Sequence, residues 1–556
     1  SRVLTMVSVL DCGLLVSAMV MMTSCGGGSN QKGLTADYIP FKMDKEDNWG
    51  LMDKNFKPLF SDEFEGKISP AYDGVFRVET ESGYALYKAE EKPSVIAGCD
   101  DLLCAGIMSE GVIPIVKENS RITYVDKSGK EKFTLMPHNG KEIIEVMPSF
   151  TYGKAVIKTE DNKQGAINSS GKVIVEPKYD AVEIRDGFIL AMNYEETEEN
   201  KKQTNIILLD NSGKEVKTFK DRAVPANNYS FIDGTFVLSS HNDEGEKTLY
   251  LMDKAGKELK KYSTKKSEPT MIFDDYYTYS DDGKHGIKNR DNDEIIIRAK
   301  YDVLFPVEDN LFLASRGDKV SLINQKEEVI KSFGDDYAQM LPLNLNISTL
   351  GLMFPNWNCL AAEVDNNLVT FLDFKGEKIS NNEYIVNLDQ EYRIYSDYFN
   401  AAEVGQKLSD LIVKEYIPKF GKNITEYTTS NANGYQNYQG VGIEVKPFYK
   451  TSMSCYLLSN EQVAVMNNSW MYEYNPNALV NGFKLNLRLS YKDNPEELSS
   501  QVAKALSESL TKNGYALQDT PAENAYILQH AENNTEIMIT FNDATVDVVG
   551  SMTSKE

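Results

Sequence analysis

A short phrase recurs along this chain at intervals of 33 to 49 residues. An apolar strand runs into Asp or Asn, two polar residues follow, then usually Gly and a Lys or Glu. Clear copies start at Asp126, Asn168, Asp210, Asp253 and Asp373. Weaker ones start at Asp53, Asn289 and Asn324, and a ninth is placed near Leu86. A period in this range is the mark of a repeat architecture, in which units that cannot bury an apolar face alone stack to share a core. Such arrays supply surfaces more often than catalytic constellations.

The phrase is turn chemistry. Asp or Asn at the first position can accept from backbone N–H groups ahead of it, and Gly at the fourth takes a left-handed conformation without a Cβ clash. Together they close a β-hairpin through a type I turn and a bulge. The strands entering the turns, such as Ile122–Val125, Asn205–Leu209, Thr248–Met252 and Leu368–Leu372, are short and rich in β-branched and aromatic residues. Asn292 is the expected left-handed residue of the Asn289 copy. Phe56 and Glu327 would be strained in that position, so their turns are expected to differ.

Three copies share more. Trp49-Gly50-Leu51-Met52-Asp53, Gln164-Gly165-Ala166-Ile167-Asn168 and His285-Gly286-Ile287-Lys288-Asn289 align. Two continue alike, as Val173–Asp180 with Pro177, Tyr179 and Asp180, and Ile295–Asp302 with Tyr301 and Asp302. This pattern resembles the WG-repeat family: Trp-Gly, apolar, Asp, Gly-Lys, then an apolar run ending in Pro and Tyr-Asp. Only Trp49 keeps the tryptophan. The resemblance spans 37–390 and implies a mainly β fold, a β-propeller-like array of repeats of about 40 residues.

The amino terminus suggests a cellular address. Leu14 to Met22 is an apolar run, too short to span a bilayer, ending at Thr23-Ser24-Cys25. It resembles a bacterial lipobox, with 1–24 as signal peptide and Cys25 as the lipidated residue. Met22 departs from the usual Leu, and Asp11 lies within the leader. Residues 25–36 read as a flexible tether. By sorting analogy the absence of Asp after Cys25 favours the outer membrane, with the periplasmic or surface face left open. The implied partner at this end is the lipid bilayer, through Cys25.

A net charge of −24 opposes binding to nucleic acid and to anionic lipid, where a basic footprint is expected. Glu195 to Glu199 reads as a solvated loop. Cys99 and Cys104 are near enough in sequence for a disulfide, but spacing does not decide between a bridge and buried thiols.

Beyond residue 390 the pattern changes. Apolar spacing predicts helices over 401–416 and 495–512, the second opened by Pro495 and stopped at Asn513-Gly514. Strands are expected before and after each, including Tyr392–Tyr395. The region 391–556 reads as a smaller α+β domain, an antiparallel sheet with two helices, arranged as a duplicated β-α-β-β-β unit. Asn431 to Tyr438 reads as a loop or hairpin.

No catalytic motif is found: no HExxH, no GxSxG, no phosphate loop. The histidines (His138, His241, His285 and His530) lack metal spacing. His285 stands in the Trp slot and reads as structural. His241 with Asp243, Glu244 and Glu246 reads as a hairpin tip rather than a cation site. Asp291–Glu294 lacks the Gly and distal Glu of a calcium loop. No catalytic, metal, cofactor or ligand residue is nominated. The expectation is a non-enzymatic, lipid-anchored envelope protein that binds or scaffolds a protein or polysaccharide partner, the latter through some of its 31 Tyr. The alternatives are a glycan hydrolase or lyase with carboxylates in a propeller channel, and a structural spacer.

Overall fold

The computed structural model describes residues 34–553, apart from 197–200, 309, 345–354, 366, 389–391, 428, 431–435, 438–449, 460–461, 468, 475–477 and 490–494. The leader, Cys25, most of the tether, part of the Glu195–Glu199 tract and most of the Asn431–Tyr438 loop lie outside the described residues. Two compact units divide between Tyr398 and Phe399.

The first unit is built from antiparallel meanders, one per repeat. We number them by their strands: repeat 1 spans 36–64, repeat 2 71–95, repeat 3 104–134, repeat 4 143–179 and repeat 5 181–220. Repeat 6 spans 235–263, repeat 7 268–301, repeat 8 303–334 and repeat 9 339–386. Repeat 5 shows the plan: Ala181–Ile184, Phe188–Glu196, Lys201–Asp210 and Glu215–Lys220 pair in that order. Apolar residues on both faces of the middle strands are buried, Leu208 on one side and Leu209 on the other. Each meander therefore packs against both of its neighbours, as propeller blades do. The fold is mainly β and propeller-like.

The recurring phrase closes the last hairpin of the repeats. At Asp126, Gly129 N donates to Asp126 O (2.9 Å) and Asp126 N to Lys130 O (3.0 Å). Asp126 Oδ1 accepts from Ser128 N and Lys130 N at 2.9 and 3.1 Å. Beside it the strand register slips by one residue between Tyr124 and Val125, which is the expected bulge. Asn168, Asp210, Asp253 and Asp373 repeat these bonds. Near Leu86 the connection differs: Tyr84–Lys88 pairs with Ser94–Val95 across a longer loop.

Two expectations about the divergent turns are corrected. Phe56 and Glu327 do not alter their turns; both adopt the left-handed conformation, at φ 63° and 60°. Their turns keep the same bonds. The strain is offset by side-chain contacts: Phe56 packs on Phe371 with ring centroids 4.7 Å apart, and Glu327 pairs with Lys300 at 2.6 Å. In the Asn289 copy, Asp293 rather than Asn292 is left-handed (φ 60°). That turn is one residue longer, with Asn289 N donating to Glu294 O.

The glycine of the Trp-Gly pair has a separate cause. In the three copies that carry it, the following strand slips register a second time: at Trp49/Leu51, Gln164/Ala166 and His285/Ile287. The slip presses a carbonyl onto the glycine. A Cβ on Gly50, Gly165 or Gly286 would lie within 3.0 Å of the carbonyl oxygen of Phe60, Val175 or Ile297. Only Gly fits under such a bulge.

The ends of the array are joined. Ala36–Lys42 pairs with Tyr384–Val386 of repeat 9 as well as with its own hairpin partner. Trp357 Nε1 donates to Ala36 O at 2.8 Å. The chain then returns over the early repeats: Asn387 Nδ2 donates to Ile68 O (2.8 Å). Buried Tyr392 lies 4.0 Å from the Arg77 guanidinium. Ile394–Tyr395, expected to lead into the carboxy-terminal domain, instead pairs with Ile143–Val146 of repeat 4. That strand belongs to the repeat unit because buried Ile394 fills the repeat 3–4 core.

The second unit holds a six-stranded antiparallel sheet in the order Thr451–Leu458, Gly482–Leu489, Thr545–Met552, Thr535–Asn542, Ala525–His530 and Ala516–Gln518. Helix α1 (Ala401–Leu411) is capped by Asn400, which accepts from Glu403 N at 3.2 Å. It widens into a π-helix over Ile412–Tyr416. Helix α2 (Pro495–Lys512) packs on the sheet and on α1. Gly405 allows the close helix crossing, since a Cβ there would lie 2.6 Å from Ala505 Cβ. Among the described residues the halves differ: α2 is followed by four strands of the main sheet, whereas between α1 and α2 only Thr451–Leu458 and Gly482–Leu489 join it.

Candidate functional site

The structure gathers the recurring turns at one end of the repeats. In a four-strand meander the first and third hairpins emerge at the same end, so each turn lies beside the first hairpin of its own repeat. Lys254 N donates to Gly234 O (2.9 Å), and Gln325 N to Asn310 Oδ1 (3.0 Å). The first hairpins carry Asp73, Glu110, Asp186 and Asp233. Lys127 of repeat 3 reaches back to Asp73 of repeat 2 at 2.8 Å.

Within each turn the positions divide by role. The first residue is committed to the backbone: hydrogen bonds from Ser128 and Ser212 hold the Asp126 and Asp210 carboxyls below their ordinary range. The fourth faces the preceding repeat. A Cβ on Gly129, Gly171, Gly213, Gly256 or Gly376 would strike Ala97, Phe133, Ile174, Lys217 or Lys331 respectively. The second position is free to vary, and reads Lys54, Lys127, Ser169, Asn211, Lys254, Arg290, Gln325 and Phe374.

A cavity of about 380 Å³ opens between the first hairpin of repeat 5 and the turn that leads into repeat 6. Its polar walls are Asp186, Asp233, Thr235, Asp253 and Lys254. The stem of Lys254 passes between Gly187 and Gly234, the two hairpin glycines. Nearby, buried Lys154 donates to Tyr152 O (3.0 Å) and to Asn211 Oδ1. Burial lowers its pKa, against the opposing pull of Glu110 and Asp186. The end thus presents alternating carboxylates and ammoniums, a surface for charged and hydrogen-bonding groups.

The residues singled out from sequence are not assembled into one site. His138 meets Glu176 at 2.6 Å. His285 occupies the Trp slot and pairs with Tyr301 in register, as Trp49 does with Phe64. His530 packs edge-on to Tyr515. His241 ends a strand before a tight turn, Asn242–Glu246, that copies the recurring turn at the opposite end of repeat 6. Its Asn-x-x-Gly signature was present in the sequence, outside the expected register. Asp293 is engaged by Lys260 (2.8 Å) and Tyr277 OH (2.7 Å). No cluster able to hold a metal occurs among the described residues. Cys99 and Cys104 are buried free thiols. Many repeat-domain tyrosines, among them Tyr72, Tyr124, Tyr179, Tyr262 and Tyr301, are buried in cores rather than displayed for sugar stacking.

Comparison with known proteins agrees with the motif. The WG containing repeat matches residues 165–194, from Gly165 through the Asn168 turn and into the strands after it. No curated protein sequence matches the chain. Among solved structures it is similar to AztD from Citrobacter koseri, at 14% identity over 66% of this chain and 100% of that one, TM-score 0.31. It is also similar to the Dos1 propeller, at 12% identity over 65% and 97%, TM-score 0.32. BamB from Moraxella catarrhalis matches at 12% over 54% and 93%, TM-score 0.28. The chain carries a WG repeat at residues 165–194.

Proposed function

We propose that this is a non-enzymatic binding or scaffolding protein of the cell envelope, lipid-anchored through Cys25, that recognises a protein partner with the turn end of its repeat array. The observation carrying this reading is the division of labour within the turns. Their first and fourth residues are fixed by hydrogen bonding and packing, while the second varies from Lys to Ser, Asn, Arg, Gln and Phe on equivalent backbones. Variable side chains on a repeated rigid scaffold are how repeat surfaces acquire specificity. A protein partner is favoured over a polysaccharide because the turn end offers charged groups and the tyrosines named above lie in the core.

Cross-linking capture from envelope extracts tests it, comparing the wild-type chain with Lys54→Glu/Lys127→Glu/Lys254→Glu. A reproducible partner lost in the triple variant supports recognition by this end. A partner retained in full, or none at all, removes it and leaves the spacer reading. Depolymerisation of an envelope polysaccharide by the purified protein would establish the enzymatic alternative instead. Loss of fatty-acid labelling in Cys25→Ala is the expected result for the anchor.

A further inference from the structure

Just past the recurring turn, on the outer strand of repeats 5 to 8 and just before that of repeat 9, five consecutive repeats expose an aliphatic side chain. Repeat 5 shows Val216 (43% exposed), repeat 6 Leu259 (48%), repeat 7 Ile295 (55%), repeat 8 Val329 (61%) and repeat 9 Ile379 (42%). Each stands two or three residues beyond the left-handed turn residue, respectively Gly213, Gly256, Asp293, Glu327 and Gly376. Ile330 beside Val329 is also 46% exposed. The corresponding residues of repeats 1, 3 and 4 break the series: Leu59 and Ile174 are partly covered and Lys132 is charged. Val95 on the outer strand of repeat 2 is also 43% exposed, but only repeats 5 to 9 carry such a residue in unbroken succession, and these five form an arc. An arc of this kind, repeated at equivalent positions, marks an interaction surface.

The arc ends where the amino-terminal chain leaves the fold. Ile39 pairs with Met52, the residue before the repeat 1 turn, so Ala36 lies at the turn end of its strand. Leu34 and the turn residue Phe56 pack against the same apolar cluster, which holds Trp357, Phe371 and Tyr384 of repeat 9. The chain thus exits at the turn end, at the seam between repeats 9 and 1, next to the repeat that carries Ile379. Nine steps of chain, with eight residues between them, separate Cys25 from Leu34. Even fully extended they reach only about 30 Å.

We propose that the turn end of the repeat unit faces the bilayer and that the aliphatic arc of repeats 5 to 9 rests on the lipid surface. The orientation depends on the Cys25 anchor reading; the arc itself does not. The two or three acyl chains of a lipobox cysteine already hold the chain at the bilayer, so the arc's weak apolar contact adds orientation rather than attachment. Lys214 and Lys257 are exposed beside the arc and are long enough to keep their ammonium groups at headgroup level. A partner read by the turn tips would then itself sit at the membrane.

The test bypasses acylation. The chain from residue 26 onward, with an amino-terminal polyhistidine, is held on phosphatidylethanolamine/phosphatidylglycerol vesicles by nickel-chelating lipid. An environment-sensitive dye is placed at Leu259→Cys or, in a separate protein, at Asp243→Cys on the opposite end of repeat 6. Cys99, Cys104, Cys359 and Cys455 are buried and do not compete for the dye. Headgroup-quencher lipids are expected to quench the Leu259 position at least twofold more than the Asp243 position. The difference should vanish in Val216→Ser/Val329→Ser/Ile379→Ser, whose melting curve reports whether it remains folded. Equal quenching at the two sites, or stronger quenching at Asp243, overturns the proposal. Failure of fatty-acid labelling at Cys25 would remove the anchor alone, and leave this result to stand or fall by itself.

Discussion

Glu327 sits in the left-handed position of the repeat 8 turn, and its carboxylate meets Lys300 Nζ, on the outer strand of repeat 7, at 2.6 Å. Tyr301 OH donates to the same oxygen at 2.8 Å. Asp293 makes the equivalent reach from repeat 7 to Lys260 of repeat 6. Phe56 does so from repeat 1 to the aromatic cluster of repeat 9. The fourth turn position therefore couples each repeat to the one before it. Glycine stands there where the neighbouring strand closes in, and a side chain where it must reach.

The carboxylates of these seams make the protein acid-sensitive. Burial would raise the Glu327 pKa, but hydrogen bonds from Lys300 and Tyr301 outweigh it and hold the group below its ordinary range. Asp293 is lowered in the same way, burial being outweighed by Lys260 and Tyr277. A lowered folded pKa contributes stability that is present above the unfolded value, about 4, and is lost as pH falls through the folded value. Urea denaturation of Glu327→Gln should show a loss of under about 1 kcal/mol at pH 7, the pair being partly solvated. The difference from wild type should shrink toward zero below about pH 4.

Gly213→Ala and Gly245→Ala separate conformation from contact. Both residues have positive φ, 88° and 80°. A Cβ on Gly245 meets nothing within 4 Å, whereas one on Gly213 runs into Ile174 O. Gly245→Ala should cost about 1–2 kcal/mol from backbone strain alone. Gly213→Ala should cost more, by thermal or urea unfolding; equal losses would contradict the packing role of the turn glycine.

Trp357→Phe keeps an aromatic ring but removes the donor to Ala36 O. Ala36 is only 1% exposed, so its carbonyl would be left without a partner in the core. The expected loss is about 1–3 kcal/mol, read as a shift in the urea midpoint.

Cys99 and Cys104 should resist alkylation in the native protein and react on unfolding. Burial raises both thiols, that of Cys104 to about 12, so little thiolate forms at neutral pH. Intact mass under non-reducing conditions should show all four described cysteines reduced.

The turns were legible in the sequence because their chemistry is local. An Asx side chain and a left-handed residue three positions apart specify one hairpin wherever they occur. What escaped was set by residues distant in sequence. Phe56 and Glu327 look strained until Phe371 and Lys300 are brought beside them. Asn292 looked like the left-handed residue because the extra residue of its turn is visible only through the bond from Asn289 N to Glu294 O. Ile394–Tyr395 read as the start of the next domain because nothing local announces its pairing with residues near 145. The turn end as a surface was legible only in part, since the aliphatic arc consists of residues that sequence pattern assigns to a buried strand face.

The central structural claim is that the repeats form one joined array, locked where repeat 1 meets repeat 9. Hydrogen exchange of Phe56→Gly tests it most directly, because glycine improves the turn locally while deleting the seam contact. The account predicts faster exchange in Ala36–Lys42 and in Tyr384–Val386 together, with the turn itself retained. A change confined to residues 53–57 would contradict it.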